Sequence, residues 1–275
     1  MKKFLALILA ALMCLTVFVA CTPAETSGDA SDANLEAETL VCGVTIFENM
    51  NELDENGNWT GFETEFAQEV GKLIGMEVTF QEIDWGQKYN ELQSGAIDCI
   101  WNGFTANSSD NGIKRSDLVD FSYGYMLNQQ CVVINKANAE TINSVEALAG
   151  KTAGVEGGSA GESYAASVIG DGKIEKYTAQ NKAFIEVKTG AVDFAVMDIV
   201  LAQNICGKGD YADLMIVEEI VLDSEVYAVG FEKGSELTAK VNTAIKTLFE
   251  NGKIAELAEK YGFENTVKLV ENIEF

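Results

Sequence analysis

Glu91-Leu-Gln-Ser-Gly-Ala-Ile-Asp98-Cys-Ile100 and Glu186-Val-Lys-Thr-Gly-Ala-Val-Asp193-Phe-Ala195 are two copies of one sentence in this chain, and reading them together decides the fold. Each copy ends a helix, stops it at a glycine, places an aspartate and then starts a buried strand. Outward from the first copy, Leu40 to Phe47 reads as a strand and Asp54 to Gly57 as a turn. Thr60 is a candidate cap for a helix whose apolar residues Phe62, Phe66, Val70, Leu73 and Ile74 share one face. Glu77 to Ile83 alternates as a strand, a short helix carries Tyr89 and Leu92 to Gly95, and Ile97 to Trp101 is the third strand. Around the second copy, Asn143 is a candidate cap for a helix over 144–148. A strand at 151–155, a helix at 159–169, a strand at 174–177, a helix at 181–189, a strand at 191–197 and a helix at 198–205 follow. Alternation of this kind builds parallel sheets covered by helices. Two α/β units of like topology are therefore expected in series, with ligand-binding groups just past the strand ends, at Asn102-Gly103-Phe104-Thr105 and at Asp198.

The end of the chain breaks the tandem order. Val226 to Phe231 reads as a strand, Ser235 as the cap of a helix to about Phe249, and Gly252 as the break before a last helix over 254–261. Helices beyond the second unit are expected to return and cover the first. That return requires two crossings, near Leu127 to Ile134 and near Ile220 to Phe231, which is the anatomy of a two-strand hinge. The expected first lobe comprises residues 39–128 and 226–275, and the second 129–225.

The amino terminus belongs to neither lobe. Lys2 and Lys3 precede an apolar run from Phe4 to Ala20 that is too short for a spanning anchor and reads as a signal peptide over residues 1–20. Ala20 immediately precedes Cys21, the arrangement of a lipoprotein cleavage site, so Cys21 is expected to be lipidated and to become the first mature residue. Residues 21–38 are small and acidic and read as a flexible tether. The whole chain carries 43 acidic against 19 basic residues, a net charge of −24, which argues against nucleic acid or an anionic membrane surface as a direct partner. With no histidine anywhere, a His-containing zinc site is excluded, and no cofactor or metal is expected. Cys42, Cys99, Cys131 and Cys206 lack C-x-x-C spacing and read as small buried hydrophobes, with any disulfide among them unassigned.

Several stretches, in order along the body, resemble one family: Gly57-Asn-Trp-Thr-Gly-Phe-Glu-Thr-Glu-Phe-Ala67, Asp84-Trp85, Leu92-Gln-Ser-Gly-Ala-Ile-Asp98, Asn102-Gly-Phe-Thr105, Val119-Asp-Phe-Ser122, Leu148-Ala-Gly-Lys-Thr-Ala-Gly-Val155, Gly158-Ser159 and Thr189-Gly-Ala-Val-Asp193 through Asp198. Together they resemble the bacterial extracellular solute-binding proteins of family 3, which serve ABC importers of polar amino acids. The resemblance implies a type II periplasmic-binding-protein fold, an amino acid ligand held in the interlobe cleft, a permease as partner, and a lipid-anchored place outside the cytoplasm. It also implies roles. Arg115, placed by counting back from Asp120, would clamp the ligand carboxylate, although the loop from Thr105 to Arg115 is about five residues longer than in the family. Ser159 and Ala160 would offer backbone N–H groups at a helix start, and Asp198 would take the ammonium with the Gly103 carbonyl and the Thr105 hydroxyl. Phe47, Trp101 and Phe104 are candidate aromatic walls.

The bland alternatives are a surface arginine at 115, a mere helix cap at 198 and core aromatics at 47 and 101. Thr45 stands where relatives selective for cationic amino acids carry an acid, so a neutral polar ligand is expected. A sensor module is the alternative function. A lyase or dehydratase with Glu48 or Glu156 as general acid is a weaker one, disfavoured by the lack of His, of G-x-S-x-G and of a Ser-x-x-Lys pairing in a suitable context.

Overall fold

The structure, a computed structural model, describes residues 38–275; the expected signal segment, Cys21 and all but the last residue of the tether lie outside the described residues. The first lobe opens with β1 (Thr39–Val44), a short hairpin of β2 (Glu52–Leu53) and β3 (Trp59–Thr60), and α1 (Phe62–Ile74). It continues through β4 (Glu77–Glu82), α2 (Lys88–Ser94) and β5 (Cys99–Ile100). A second hairpin, β6 (Ser109–Asp110) and β7 (Ile113–Lys114), leads into α3 (Arg115–Leu118), β8 (Asp120–Phe121) and the long β9 (Gly124–Asn135). In the second lobe come β10 (Thr152–Glu156), α4 (Ala160–Val168), β11 (Lys173–Tyr177), α5 (Gln180–Thr189), β12 (Phe194–Asp198), α6 (Ile199–Ile205) and β13 (Leu214–Ile216). The chain returns through β14 (Ser224–Tyr227), β15 (Gly230–Phe231), α7 (Leu237–Glu250), α8 (Lys253–Tyr261) and β16 (Val267–Val270).

Two sheets result, one in strand order β4-β1-β5-β15-β8 and the other β11-β10-β12-β9-β13. Strand β1 runs parallel to β4 and β5, and β10 runs parallel to β11 and β12, so the two lobes repeat one topology, as the sequence repeat requires. The repeat is structural down to single atoms. Gly95 and Gly190 end α2 and α5 in left-handed conformations at φ 73° and 76°, which glycine adopts without a Cβ penalty. Asp98 Oδ2 accepts from the Val41 N–H and Asp193 Oδ2 from the Thr152 N–H, each at 2.8 Å, tying the strand after the glycine to its parallel neighbour.

Strand β9 joins the lobes. Near its start it pairs antiparallel with β14, Met126 opposite Tyr227 and Gln129 opposite Ser224, and further along it pairs with β12 and β13. The two expected crossings thus lie side by side. Apolar spacing explains how the returning helices cover the first lobe. Helix α7 buries Val241, Ile245 and Leu248, and α1 buries Phe62, Phe66 and Val70, all in one core cluster with Cys42, Trp101 and Phe231. Each such side chain contributes about 1.5–3 kcal/mol by leaving water.

Three expectations about helix ends are corrected. Thr60 does not cap α1; it ends β3, its hydroxyl 3.2 Å from that of Tyr261, and α1 starts after Gly61. A Cβ at Gly61 would lie 2.3 Å from the Met50 carbonyl oxygen, so close backbone approach replaces a side-chain cap. The segment after Asn143 forms only a single 3-10 turn, Glu146–Leu148. Helix α7 begins at Leu237, and Ser235 Oγ accepts from that residue's N–H at 3.3 Å.

Candidate functional site

The turn after β5 is held by a buried acid at the start of α1. Glu63 accepts from the Gly103 N–H at 2.9 and 3.1 Å, from Asn51 Nδ2 at 2.6 Å and from the Tyr125 hydroxyl. Burial raises its pKa from 4.5 to about 7, and the Tyr125 and Gly103 hydrogen bonds restrain the rise. Gly103 sits at φ 54°, and an added Cβ there would meet the Phe47 ring at 2.9 Å, so the backbone passes close over aromatic edges. Phe47 and Trp101 are therefore core residues here rather than walls of a ligand pocket. Trp101 is fully buried and T-shaped on Phe66, with centroids 5.3 Å apart, while Phe104 turns to the other side and packs on Trp85 and Phe121. Strand alternation decides the split, because residues near the end of β5 point to opposite faces of the sheet.

Arg115 is no surface arginine. It opens α3, is 1% exposed, and its guanidinium stands 5.0 Å over the Phe104 ring. Nε and Nη2 donate to Asp110 Oδ1 at 3.1 and 2.9 Å, Nη1 donates to the Thr105 carbonyl at 3.1 Å, and Nη2 also reaches the Gly158 carbonyl of the second lobe at 3.3 Å. Lys88 joins from α2: Nζ donates to the Gly158 carbonyl at 2.9 Å and lies 3.5 Å from Asp110 Oδ2. The Tyr89 hydroxyl donates to the same Oδ2 at 2.6 Å. Asp110 belongs to the hairpin formed by the longer loop. Burial opposes its charge, but Arg115 and Lys88 outweigh burial and hold it below the ordinary carboxylate range. Lys88 itself is pushed down to about 8, by burial first and by Arg115 second.

Asp198 closes β12 and is buried, yet its side chain makes no cap bond to α6, so the cap reading is set aside. Oδ1 accepts from Asn128 Nδ2 at 2.5 Å and Gln130 Nε2 at 2.6 Å, Oδ2 accepts from Gln180 Nε2, and the Asp198 N–H donates to Gln180 Oε1 at 2.9 Å. The same two amides of β9 also serve Glu225 of β14, whose Oε2 accepts from Asn128 at 2.6 Å, Gln130 at 3.0 Å and the Thr105 hydroxyl at 3.2 Å. Arg115 and Asp198 therefore stand at the two ends of one chain of hydrogen bonds, through Thr105, Glu225 and Asn128. Burial raises Asp198, and burial with the Asp198 charge raises Glu225 to about 7.

A third acid comes from across the cleft. Glu156 ends β10 with Oε1 3.3 Å from the Thr45 hydroxyl, which itself donates to Asn102 Oδ1 at 2.7 Å. Burial, then Asp198, raises Glu156 to about 8. Thr45 itself carries no acid, and the carboxyl group of Glu156 from the second lobe is the acidic group that stands beside it. Ser159 caps α4, its Oγ accepting from the Glu162 N–H at 3.1 Å, so its hydroxyl is already used and Ala160 is the first helical residue. The lobes touch again where Ser163 Oγ donates to the Ser109 carbonyl at 3.2 Å. Cavities of about 560 and about 620 Å³ flank this contact, one lined by Asp110, Gly158 and Ser159, the other by Ala160, Gln130 and Glu225.

Sequence reading missed Lys88, Asp110, Asn128, Gln130, Gln180 and Glu225. Lys88 follows Asp84-Trp85 closely enough to have been noticed. Asp110 lies in the hairpin of β6 and β7, Asn128, Gln130 and Glu225 on the paired strands β9 and β14, and Gln180 at a helix start, where no spacing marks them.

These pKa directions set a pH dependence. Glu63, Glu156 and Glu225 bind protons more tightly in the folded state, so the stability they lend is complete below about 4.5 and is lost as pH rises through about 7 to 8. The ligand-free protein is expected to lose melting temperature steadily between pH 5 and pH 8, on the order of several degrees. A cation placed against Asp198 and Glu225 would favour their charged forms, so any rise in melting temperature that a cationic ligand produces should grow over the same interval. Scanning calorimetry from pH 5 to pH 8, with and without ligand, checks both slopes.

Comparison with known proteins agrees with the fold. The defining pattern of the bacterial extracellular solute-binding proteins, family 3, matches residues 40–265. The arginine-binding extracellular protein ArtP of Bacillus subtilis (strain 168) is 28% identical over 95% of this chain and 98% of its own length. An ancestral arginine-binding protein solved with arginine superposes with a TM-score of 0.74 at 32% identity, covering 81% of this chain and 97% of its own. A substrate-binding protein of an ABC uptake transporter from Streptococcus pneumoniae, solved with bound histidine, gives 0.74 at 29% identity, covering 84% of this chain and 94% of its own. Topology, order of motifs and length of match all agree, and the chain belongs to the bacterial extracellular solute-binding proteins, family 3.

Proposed function

We propose that this chain captures a polar amino acid between its lobes and delivers it to the permease of an ABC importer, tethered outside the cytoplasm by a lipid on Cys21 and catalysing nothing itself. The observation that carries this reading is the line of buried polar groups contributed by both lobes and the hinge: Arg115 and Thr105 from the first, Asp198 from the second, Asn128, Gln130 and Glu225 from the paired crossing strands. Groups shared in this way are complete only when the lobes are closed, so a ligand that contacts all of them favours closure by its differential contacts. The hinge is assigned to β9 and β14, with lobe boundaries near residues 128 and 226. An ammonium is seated at Asp198 and Glu225, where burial and the shared amides leave acceptors and no cation.

The test is a thermal-shift panel of all common amino acids on purified residues 22–275. At a ligand concentration a hundred times its Kd, linkage gives about 2.7 kcal/mol, and the melting temperature should rise by roughly 5–10 °C. A complete panel with no shift and no calorimetric heat would refute the reading. One observation favours a second reading: Glu156, raised to about 8 by burial, would hold a proton at neutral pH as a general acid does. Recovery of the bound compound unchanged after prolonged incubation separates binding from lyase chemistry.

A further inference from the structure

We infer that Asp110 is a built-in carboxylate that occupies Arg115, so that the cleft recognises its ligand by the cationic end and accepts amines that lack an α-carboxylate. The inference rests on reading the interlobe cleft as the solute site. A guanidinium in such a cleft is the natural clamp for a ligand carboxylate, because its planar fork matches the two oxygens. Here the clamp is taken. Asp110 Oδ1 receives both Nε and Nη2 of Arg115, and the remaining contacts of the guanidinium go to the Thr105 and Gly158 carbonyls. Asp110 is held on its other oxygen by the Tyr89 hydroxyl at 2.6 Å, with the Lys88 ammonium 3.5 Å away. An incoming carboxylate would have to expel a side chain that already satisfies two buried cations, and Lys88 offers no free alternative.

The other end of the cleft is built for positive charge. Asp198 and Glu225 share the Nδ2 of Asn128 and the Nε2 of Gln130, and Glu156 lies close enough to feel the Asp198 charge. The acids do not stand alone as evidence. Asn128 is 5% exposed, and its Oδ1 is buried without a donor while its Nδ2 bridges the two carboxylates. Flipping the amide would turn that oxygen toward two carboxylates, so the orphan acceptor is a fixed feature, awaiting an N–H. An ammonium beside Asp198 and Glu225 would supply the positive charge they lack, and the buried Asn128 Oδ1 is a further acceptor on the residue that bridges them. A cavity bordered by Gln130, Glu225 and Ala160 adjoins the Glu225 side of this pair. Asp110 is matched by Lys88 and Arg115, whereas Asp198 and Glu225 accept only from neutral amides and a hydroxyl among the described residues.

The experiment compares amino acids with their decarboxylated amines on the full mature chain by calorimetry: arginine with agmatine, lysine with cadaverine, histidine with histamine. Wild type should bind at least one amine as tightly as its parent or more so. Asp110→Asn, which keeps the shape and frees the guanidinium, should shift the ratio toward the amino acid by about tenfold or more, the size of a charge-assisted hydrogen bond. If Asp110→Asn does not fold, the wild-type ratio alone decides, and a preference for the amino acid of more than about tenfold overturns the inference. That outcome, or a ratio unchanged in Asp110→Asn, leaves the solute-binding reading intact. Binding of no amino acid and no amine would bring down both.

Discussion

Arg115→Met is expected to destabilise the ligand-free protein by about 3–5 kcal/mol, the usual consequence of removing one partner from a buried ion pair. The side chain is 1% exposed and its partners are all within the chain: Asp110, the Thr105 carbonyl and the Gly158 carbonyl across the cleft. Methionine fills much of the volume but leaves Asp110 with only Lys88 and Tyr89. A loss of that size lowers the melting temperature by roughly 10 °C in a domain of this length. The double variant Arg115→Met/Asp110→Asn should recover a large part of it, since the uncompensated charge is then gone. Urea unfolding of the four proteins of this cycle measures the coupling. A single-variant loss below about 1 kcal/mol would show that Arg115 behaves as an exposed arginine.

Glu225→Gln is expected to move stability and binding in opposite directions. Glu225 Oε2 accepts from Thr105, Asn128 and Gln130, and nothing donates to Oε1, so a glutamine keeps its acceptor on the first three and places its NH2 where no donor is met. Relief of the repulsion from Asp198, which together with burial raises Glu225, should make the ligand-free protein more stable above neutral pH. The same change removes half of the charge that an ammonium meets, and truncating a buried charged partner costs about 2–5 kcal/mol, or roughly thirtyfold and more in Kd. Asp198→Asn is a less clean probe, because its new NH2 would face the Gln180 amide or those of β9. Calorimetry for binding and scanning calorimetry for stability, on one preparation, give both signs. If Glu225→Gln binds the same ligand with unchanged affinity, the ammonium is seated elsewhere.

The two variants probe opposite ends of one polar line, and their contrast bears on how the protein works. Arg115 is expected to matter before any ligand arrives, because its carboxylate is internal. Glu225 is expected to matter chiefly when a ligand is present, because its pairing with Asp198 costs stability until a cation arrives. On the reading proposed above, the end with Asp198 and Glu225 is under electrostatic tension and the end with Arg115 is satisfied, so closure on a cation would release the tension.

Much of this was legible in the order of residues alone. The twin Gly-Ala-(Ile/Val)-Asp stretches announced two lobes of one topology, because a left-handed stop and a buried strand are local features that chemistry dictates residue by residue. Arg115, Thr105, Ser159 and Asp198 were expected as ligand contacts from their positions in motifs; the structure links Arg115 to Asp198 through Thr105, Glu225 and Asn128, and spends the Ser159 hydroxyl on capping α4. What the order of residues did not contain was who meets whom across space. Thr45 read as a position without an acid until Glu156 of the second lobe arrived beside it, and Asp110 read as part of a loop until its hairpin folded back on Arg115. Phe47 and Trp101 looked like pocket walls and became core, because facing is decided by strand alternation at the end of β5 and by the packing of α1. Local periodicity specifies the elements; the charge of a cleft is a sum over residues far apart in sequence, and only packing brings those terms within a few ångströms of one another.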